Sequence, residues 1–135
     1  MPITINPQTK ITMLPPDFVI IMNNQLRNVS LDASEIVALN FRDPKYSAEN
    51  GGFHPVEIHV DSKGEVLCIT DFSFAGIHPF IELGIELDWS FDQGYFRQFD
   101  DVYDLECGRS LLGLYLANFT AYYKSGVYRV EVTTL

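Results

Sequence analysis

The sequence predicts an α+β fold, a mainly antiparallel sheet of about four to five strands with about three helices packed on one side, and three observations predict it. Phe53 to Val60 alternates in polarity and is joined by Asp61-Ser62-Lys63-Gly64 to a second apolar run, Glu65 to Phe74, so the pair reads as a hairpin. Gly108, Leu112, Tyr115, Phe119 and Tyr122 recur at helical spacing over some five turns starting near Asp104. Val127, Tyr128, Val130 and Val132 then alternate with Arg129 and Glu131, which reads as a C-terminal strand.

Taken in order, residues 1–14 alternate loosely and suggest an extended arm or an edge strand. Pro15-Pro16-Asp17 is a helix start signal, because proline is tolerated in a first turn and a carboxylate suits the positive end of the helix dipole. A helix is expected over about 15–27, with Phe18, Ile21, Met22 and Leu26 on one face. Ile36 to Phe41 reads as a strand, and Arg42 to Gly52 as a long loop rich in Pro and Gly. Apolar residues on both faces of the second hairpin strand place it centrally in the sheet. Phe80 to Leu87 carries apolar residues at helical spacing and is expected as a short helix, while 88–101 is expected to be irregular. Trp89, Phe91, Tyr95, Phe96 and Phe99 are expected to pack under the last helix. The 135 residues are expected to form a single domain.

Composition narrows the function more than it identifies one. Apolar residues make up 47% of the chain, with ten Phe and seven Tyr, which suffices for a core without metal or disulfide staples. A net charge of -9 repels phosphate backbones and anionic bilayers, so neither nucleic acid nor membrane is an expected partner. The carboxylates from Glu82 to Glu106 form an acidic run expected to be a solvated face. Cys68 and Cys107 lie in apolar surroundings and are expected to be buried free thiols. Lys10 is the only basic residue before the apolar run Phe18 to Met22, which is too short to span a bilayer and has no charged leader, so a cytoplasmic protein is expected.

Candidate chemistry centres on Arg42, His54, Glu57 and Asp71. Asp71 falls among apolar residues of a central strand, where a carboxylate must be paired, hydrogen-bonded or protonated, and Arg42 or His54 could partner it. Strand alternation sends His54 and His59 to opposite faces of the sheet, which argues against a shared metal centre. The chain has no HExxH, CxxC, nucleophile elbow or glycine-rich phosphate loop, so no metal, cofactor or catalytic residue is assigned.

Phe41-Arg42-Asp43-Pro44-Lys45-Tyr46-Ser47, Gly51-Gly52-Phe53-His54-Pro55-Val56-Glu57-Ile58, Ile69-Thr70-Asp71-Phe72-Ser73, and Asn118-Phe119 through Tyr122-Tyr123 to Gly126-Val127-Tyr128 together carry a family resemblance. From about residue 36 onward the chain resembles a small bacterial family known only as a domain of unknown function. That resemblance implies a bacterial, cytoplasmic protein and transfers no catalytic residue.

Two readings follow. The first is a non-enzymatic binding or protein-interaction module, with a protein partner or a second copy of itself, using the acidic segment 82–106 or the loop 42–54. The second is a small-ligand pocket or minor enzyme around Arg42, His54, Glu57 and Asp71, which requires those four groups to converge on one concavity.

Overall fold

The computed structural model describes residues 2–135. Helix α1 (Pro16–Leu26) leads into strands β1 (Ile36–Arg42), β2 (Val56–Asp61), β3 (Val66–Ala75), β4 (Glu82–Ser90), β5 (Tyr95–Gln98) and β6 (Asp101–Asp104). A 3-10 turn (Leu105–Gly108), helix α2 (Arg109–Lys124) and β7 (Arg129–Thr134) complete the described chain. The seven strands form one antiparallel sheet in the order β6-β5-β4-β3-β2-β1-β7.

This corrects the expectation of four to five strands with three helices: among the described residues the sheet has seven strands, and there are two α-helices. The segment expected as a helix over 80–87 is instead the start of β4. Its apolar residues satisfy both periods, since Phe80, Leu83 and Leu87 fit a helix while Ile81, Leu83, Ile85 and Leu87 alternate. Gly84 weakens the helical option, and pairing with β3 from Cys68↔Ser90 to Ala75↔Glu82 decides it. The stretch expected to be irregular becomes the end of β4, a turn at 91–94, β5 and β6.

Consecutive strands β1 to β6 form a meander, and α2 returns the chain from the β6 edge to the opposite edge, where β7 pairs with β1. A single helix therefore crosses the inner face of the sheet. Strand alternation supplies that face with Val37, Leu39 and Phe41 from β1, Val56, Ile58 and Val60 from β2, and Trp89 from β4, all buried. Against them α1 buries Phe18, Ile21, Met22 and Leu26, and α2 buries Leu112, Leu116 and Phe119. Phe119 sits at the junction, its ring centroid 4.9 Å from Phe41 and 5.8 Å from Phe18.

The arm before α1 joins no sheet edge; it docks against the core. Ile3, Ile5 and Leu14 are buried, Ile5 N donates to Asn23 Oδ1 at 2.9 Å, and Asn6 N donates to the Gly64 carbonyl at 2.8 Å. Gly64 turns with φ +85, and a Cβ there would stand 2.1 Å from the Thr4 carbonyl oxygen.

Trp89 anchors the start of α2. Its Nε1 donates to the Gly108 carbonyl at 2.8 Å, and its ring lies 5.3 Å from Phe96 and 5.0 Å from Tyr115. A Cβ on Gly108 would come within 2.7 Å of Phe96 and of Trp89 Nε1, whereas one on Gly113, inside α2, meets nothing within 4 Å. Urea denaturation should therefore show opposite signs for two identical substitutions. Gly108→Ala is expected to destabilise by roughly 1–3 kcal/mol through overpacking, and Gly113→Ala to stabilise by about 0.5–1 kcal/mol through helix propensity.

Candidate functional site

Asp71 lies on the inner face of β3, opposite Val56 on β2 and Leu87 on β4. Its side chain is only 4% exposed, so its charge is largely removed from water and depends on neighbours. Two supply hydrogen bonds. Tyr115 on α2 donates its hydroxyl to Oδ1 at 2.8 Å, and His54 Nδ1, at the entry to β2, lies 3.0 Å from Oδ2. The β3–β4 register shifts between Asp71 and Phe72, and the offset leaves Glu86 beside the histidine, its Oε1 4.0 Å from Nδ1.

The ionisation of these groups follows from that arrangement. The hydrogen bond to Asp71 raises the pKa of His54 above its ordinary value against the opposing effect of burial, with the charges of Asp71 and Glu86 adding to the rise. Burial pushes the phenol of Tyr115 well above its usual range, and the negative charge of Asp71 adds to this. Tyr128 is raised for the same two reasons.

A cavity of about 350 Å³ opens over this cluster. Gly52, Phe53 and His54 form one wall, Tyr115, Asn118, Phe119 and Tyr122 on α2 the second, with Asp71 and Tyr128 completing it. The phenol of Tyr122 packs against Phe53 at a centroid distance of 4.5 Å, and Phe119 stacks on Tyr128 at 5.3 Å. The loop wall is held by Asp43, which is buried and accepts backbone hydrogen bonds from Lys45 and Phe53 at 2.9 and 3.1 Å. Tyr46 lies beside His54 and stacks on Phe74, and its hydroxyl accepts the Phe74 N–H at 2.9 Å.

Donor atoms of His54, Asp71 and Glu86 all lie within 4.8 Å of one another, a spacing a divalent cation could use. Each Asp71 oxygen accepts one hydrogen bond within the cluster, from His54 or Tyr115, and a cation there would compete with the histidine proton. The arrangement can hold positive charge over a buried carboxylate and can exchange a proton at His54.

The four residues singled out from the sequence divide between the faces of the sheet. His54 and Asp71 meet on the inner face. Glu57 and Arg42 belong to the outer face, where Glu57 Oε2 lies 2.9 Å from His59 Nε2 and Arg42 forms an exposed ion pair with Glu131 at 3.6 Å. Cys68 stands opposite His59 in the ladder, and its hydrogen bond, followed by that of Glu57, pushes the histidine pKa up to about 9 despite burial. The thiols are free, but neither is buried: Cys68 is half-buried and Cys107 exposed. Nor is the acidic run uniformly solvated, since Asp88 is buried and accepts hydrogen bonds from Thr70 at 2.9 Å and Tyr95 at 3.1 Å.

Sequence reasoning missed Glu86, Asn118, Tyr115, Tyr122 and Tyr128 as site residues. Tyr115 and Tyr122 looked like core positions of an amphipathic helix, and the usable signal was their hydroxyls. A tyrosine on a buried helix face needs a polar partner, and the nearby inner-face strand positions offer one carboxylate, Asp71.

Both paired histidines make stability depend on pH. A group whose folded pKa is raised contributes stability that is complete below its unfolded value and is lost as pH rises through the folded value. The His59 contribution should accordingly fade between about 6.5 and 9, and that of His54 should fade above 6.5. In urea denaturation, wild-type stability is expected to fall over this window, with His54→Gln and His59→Gln each flattening the slope. An unchanged slope in the double variant would show that neither ring titrates with folding.

No curated protein matches the chain. Two solved structures resemble it over nearly their full lengths. The hypothetical protein VC0508 from the VSP-II pathogenicity island of Vibrio cholerae is 28% identical, with a TM-score of 0.80 over 96% of this chain and 99% of that one. The conserved hypothetical protein VC1805 from pathogenicity island VPI-2 of Vibrio cholerae is 32% identical, with a TM-score of 0.75 over 95% and 98%, and is described as sharing structural homology with the human P32 protein. Among the described residues of this chain, no helix is long and apolar enough to cross a membrane. Residues 16–133 match the protein family of unknown function DUF2787, and the chain belongs to that family.

Proposed function

We propose that this chain is a non-enzymatic binding module of a bacterial protein, and that it holds a small organic ligand in the cavity over Asp71. The observation that carries this reading is the convergence of a buried carboxylate, an imidazole and three phenols on one concavity of about 350 Å³, at the small end of the range for ligand pockets. The cavity replaces the four-residue constellation read from the sequence, because Arg42 and Glu57 lie across the sheet from it.

A fragment library screened by ligand-observed NMR tests this directly. Compounds that bind should shift the resonances of Tyr115, Tyr122 and Tyr128. Asn118→Trp, at the exposed rim, should fill the mouth and weaken them by more than about tenfold with little change in melting temperature. If hits persist in that variant, or perturb only residues elsewhere, the cavity is not the binding site.

A second reading, contact with a protein partner or a second copy, is favoured by one observation. The loop joining β3 to β4 exposes Ile77 at 83% and Phe80 at 81%, with Phe74, Ile81 and Leu83 also exposed beside them. Sedimentation analysis should then show concentration-dependent association that Ile77→Ser with Phe80→Ser abolishes. A wild-type chain that stays monomeric across the accessible concentration range removes self-association from this reading.

A further inference from the structure

The cavity's ligand can be assigned a chemical class, an inference that rests on the binding reading above. Three properties of the lining constrain the charge and shape of an occupant. First, the negative groups exceed the positive ones. Asp71 lines the cavity, and two further carboxylates stand behind the lining: Glu86 Oε1 is 4.0 Å from His54 Nδ1, and Asp43 Oδ2 is 2.9 Å from where a Cβ of Gly52 would stand. Neither Lys nor Arg lines the cavity among the described residues. Second, the remaining surface is aromatic, from Phe53, Tyr115, Phe119, Tyr122 and Tyr128. Ring faces attract cations through their quadrupole, most strongly where water is excluded.

The third property separates one kind of cation from another. Both Asp71 oxygens are already hydrogen-bonded, Oδ1 by the Tyr115 hydroxyl at 2.8 Å and Oδ2 by His54 at 3.0 Å. A primary ammonium or a guanidinium directs its N–H groups at oxygen atoms and would have to share these two with the Tyr115 hydroxyl and His54, through the one lone pair left on each. A methylated ammonium has diffuse charge and few or no N–H groups. It needs negative potential and ring faces, not free lone pairs.

We propose that the cavity takes a quaternary or tertiary methylated ammonium, held by the charge of Asp71 at the lining, with Glu86 behind it, and by the surrounding tyrosine rings. Protonated His54 competes with such a ligand for the same two carboxylates. The other titratable groups near that histidine are Tyr46 from the loop, with its ring centroid 5.4 Å away, and Tyr115, Tyr122 and Tyr128, which line the same cavity. None of these is cationic. Ligand binding and His54 protonation therefore oppose each other, and affinity rises as the histidine loses its proton.

The test compares choline with 3,3-dimethylbutan-1-ol, its uncharged carbon analogue, and with guanidinium and butylammonium, by NMR titration in buffer containing a chelator. Choline is expected to bind at least about tenfold more tightly than the carbon analogue, with both perturbing Tyr115, Tyr122 and Tyr128. Asp71→Asn and Glu86→Gln should each shrink that ratio without weakening the neutral compound. Choline affinity should rise from pH 6 to 8 in the wild-type chain and stay level in His54→Gln. Should Asp71→Asn fail to fold, Glu86→Gln and the ligand pair on the wild-type chain still decide the matter. Equal binding of choline and its carbon analogue at the same tyrosines would overturn the cation assignment and leave the cavity reading intact. Tighter binding of guanidinium or butylammonium would overturn the methylated class. Absence of any shift at these tyrosines would overturn the assignment, and the fragment screen would then decide separately whether the cavity binds anything.

Discussion

A carboxylate on the inner face of a central strand has to be satisfied from within the protein, and much of the architecture around Asp71 answers to that requirement. Its two oxygens are met from opposite directions, by a loop histidine and by a helix tyrosine, so the loop and α2 are both tied to β3 through a single side chain. The register shift that follows Asp71 leaves a second carboxylate beside the histidine. Removing Asp71 would therefore loosen three elements, and its retention gives the cavity a floor of fixed charge. Local polar networks of this type are effective because the low-dielectric surroundings strengthen each bond and penalise each omission.

The second requirement is the long return of the chain. Because β7 pairs with β1 on the far side of the sheet from β6, α2 must cross the inner face, and the crossing determines which strands its side chains meet. Tyr115 reaches β3 and β4, Phe119 reaches β1, and Tyr122 meets Phe53 beyond them. Most of the aromatic wall thus stands on a helix anchored at one end by Trp89 and in the middle by Phe119, while the facing wall is a loop.

Much of this was legible in the residues. The helix start at Pro15-Pro16-Asp17, the alternation of Val56, Ile58 and Val60, and the turn at Gly64 all act through local backbone preferences, and each element stands where those preferences put it. Opposite orientation of His54 and His59 followed from the same alternation, and His54 was one of two candidate partners for Asp71, the other being Arg42. What local reasoning could not resolve was the choice between periods at Phe80 to Leu87, where the same apolar residues serve a helix or a strand and long-range pairing with β3 makes the choice. Arg42 was grouped with the site as a candidate partner for Asp71 and Glu57 as its neighbour in the hairpin, but sidedness places both on the outer face. The cavity itself is assembled from residues as far apart as Gly52 and Tyr128, and only the crossing of α2 brings them together.

The sheet is open, so its two terminal strands, β6 and β7, each present a free edge. An unpaired edge is a template for adding another strand, and unchecked addition builds fibres. On β6 the exposed Asp101 and Asp104, with exposed Asp100 just before them, would be brought against their own copies if two such edges met. The acidic segment, expected from the sequence to be a solvated face and offered as one of two candidate interaction surfaces, can thus serve the opposite purpose, keeping this edge from propagating the sheet into a polymer.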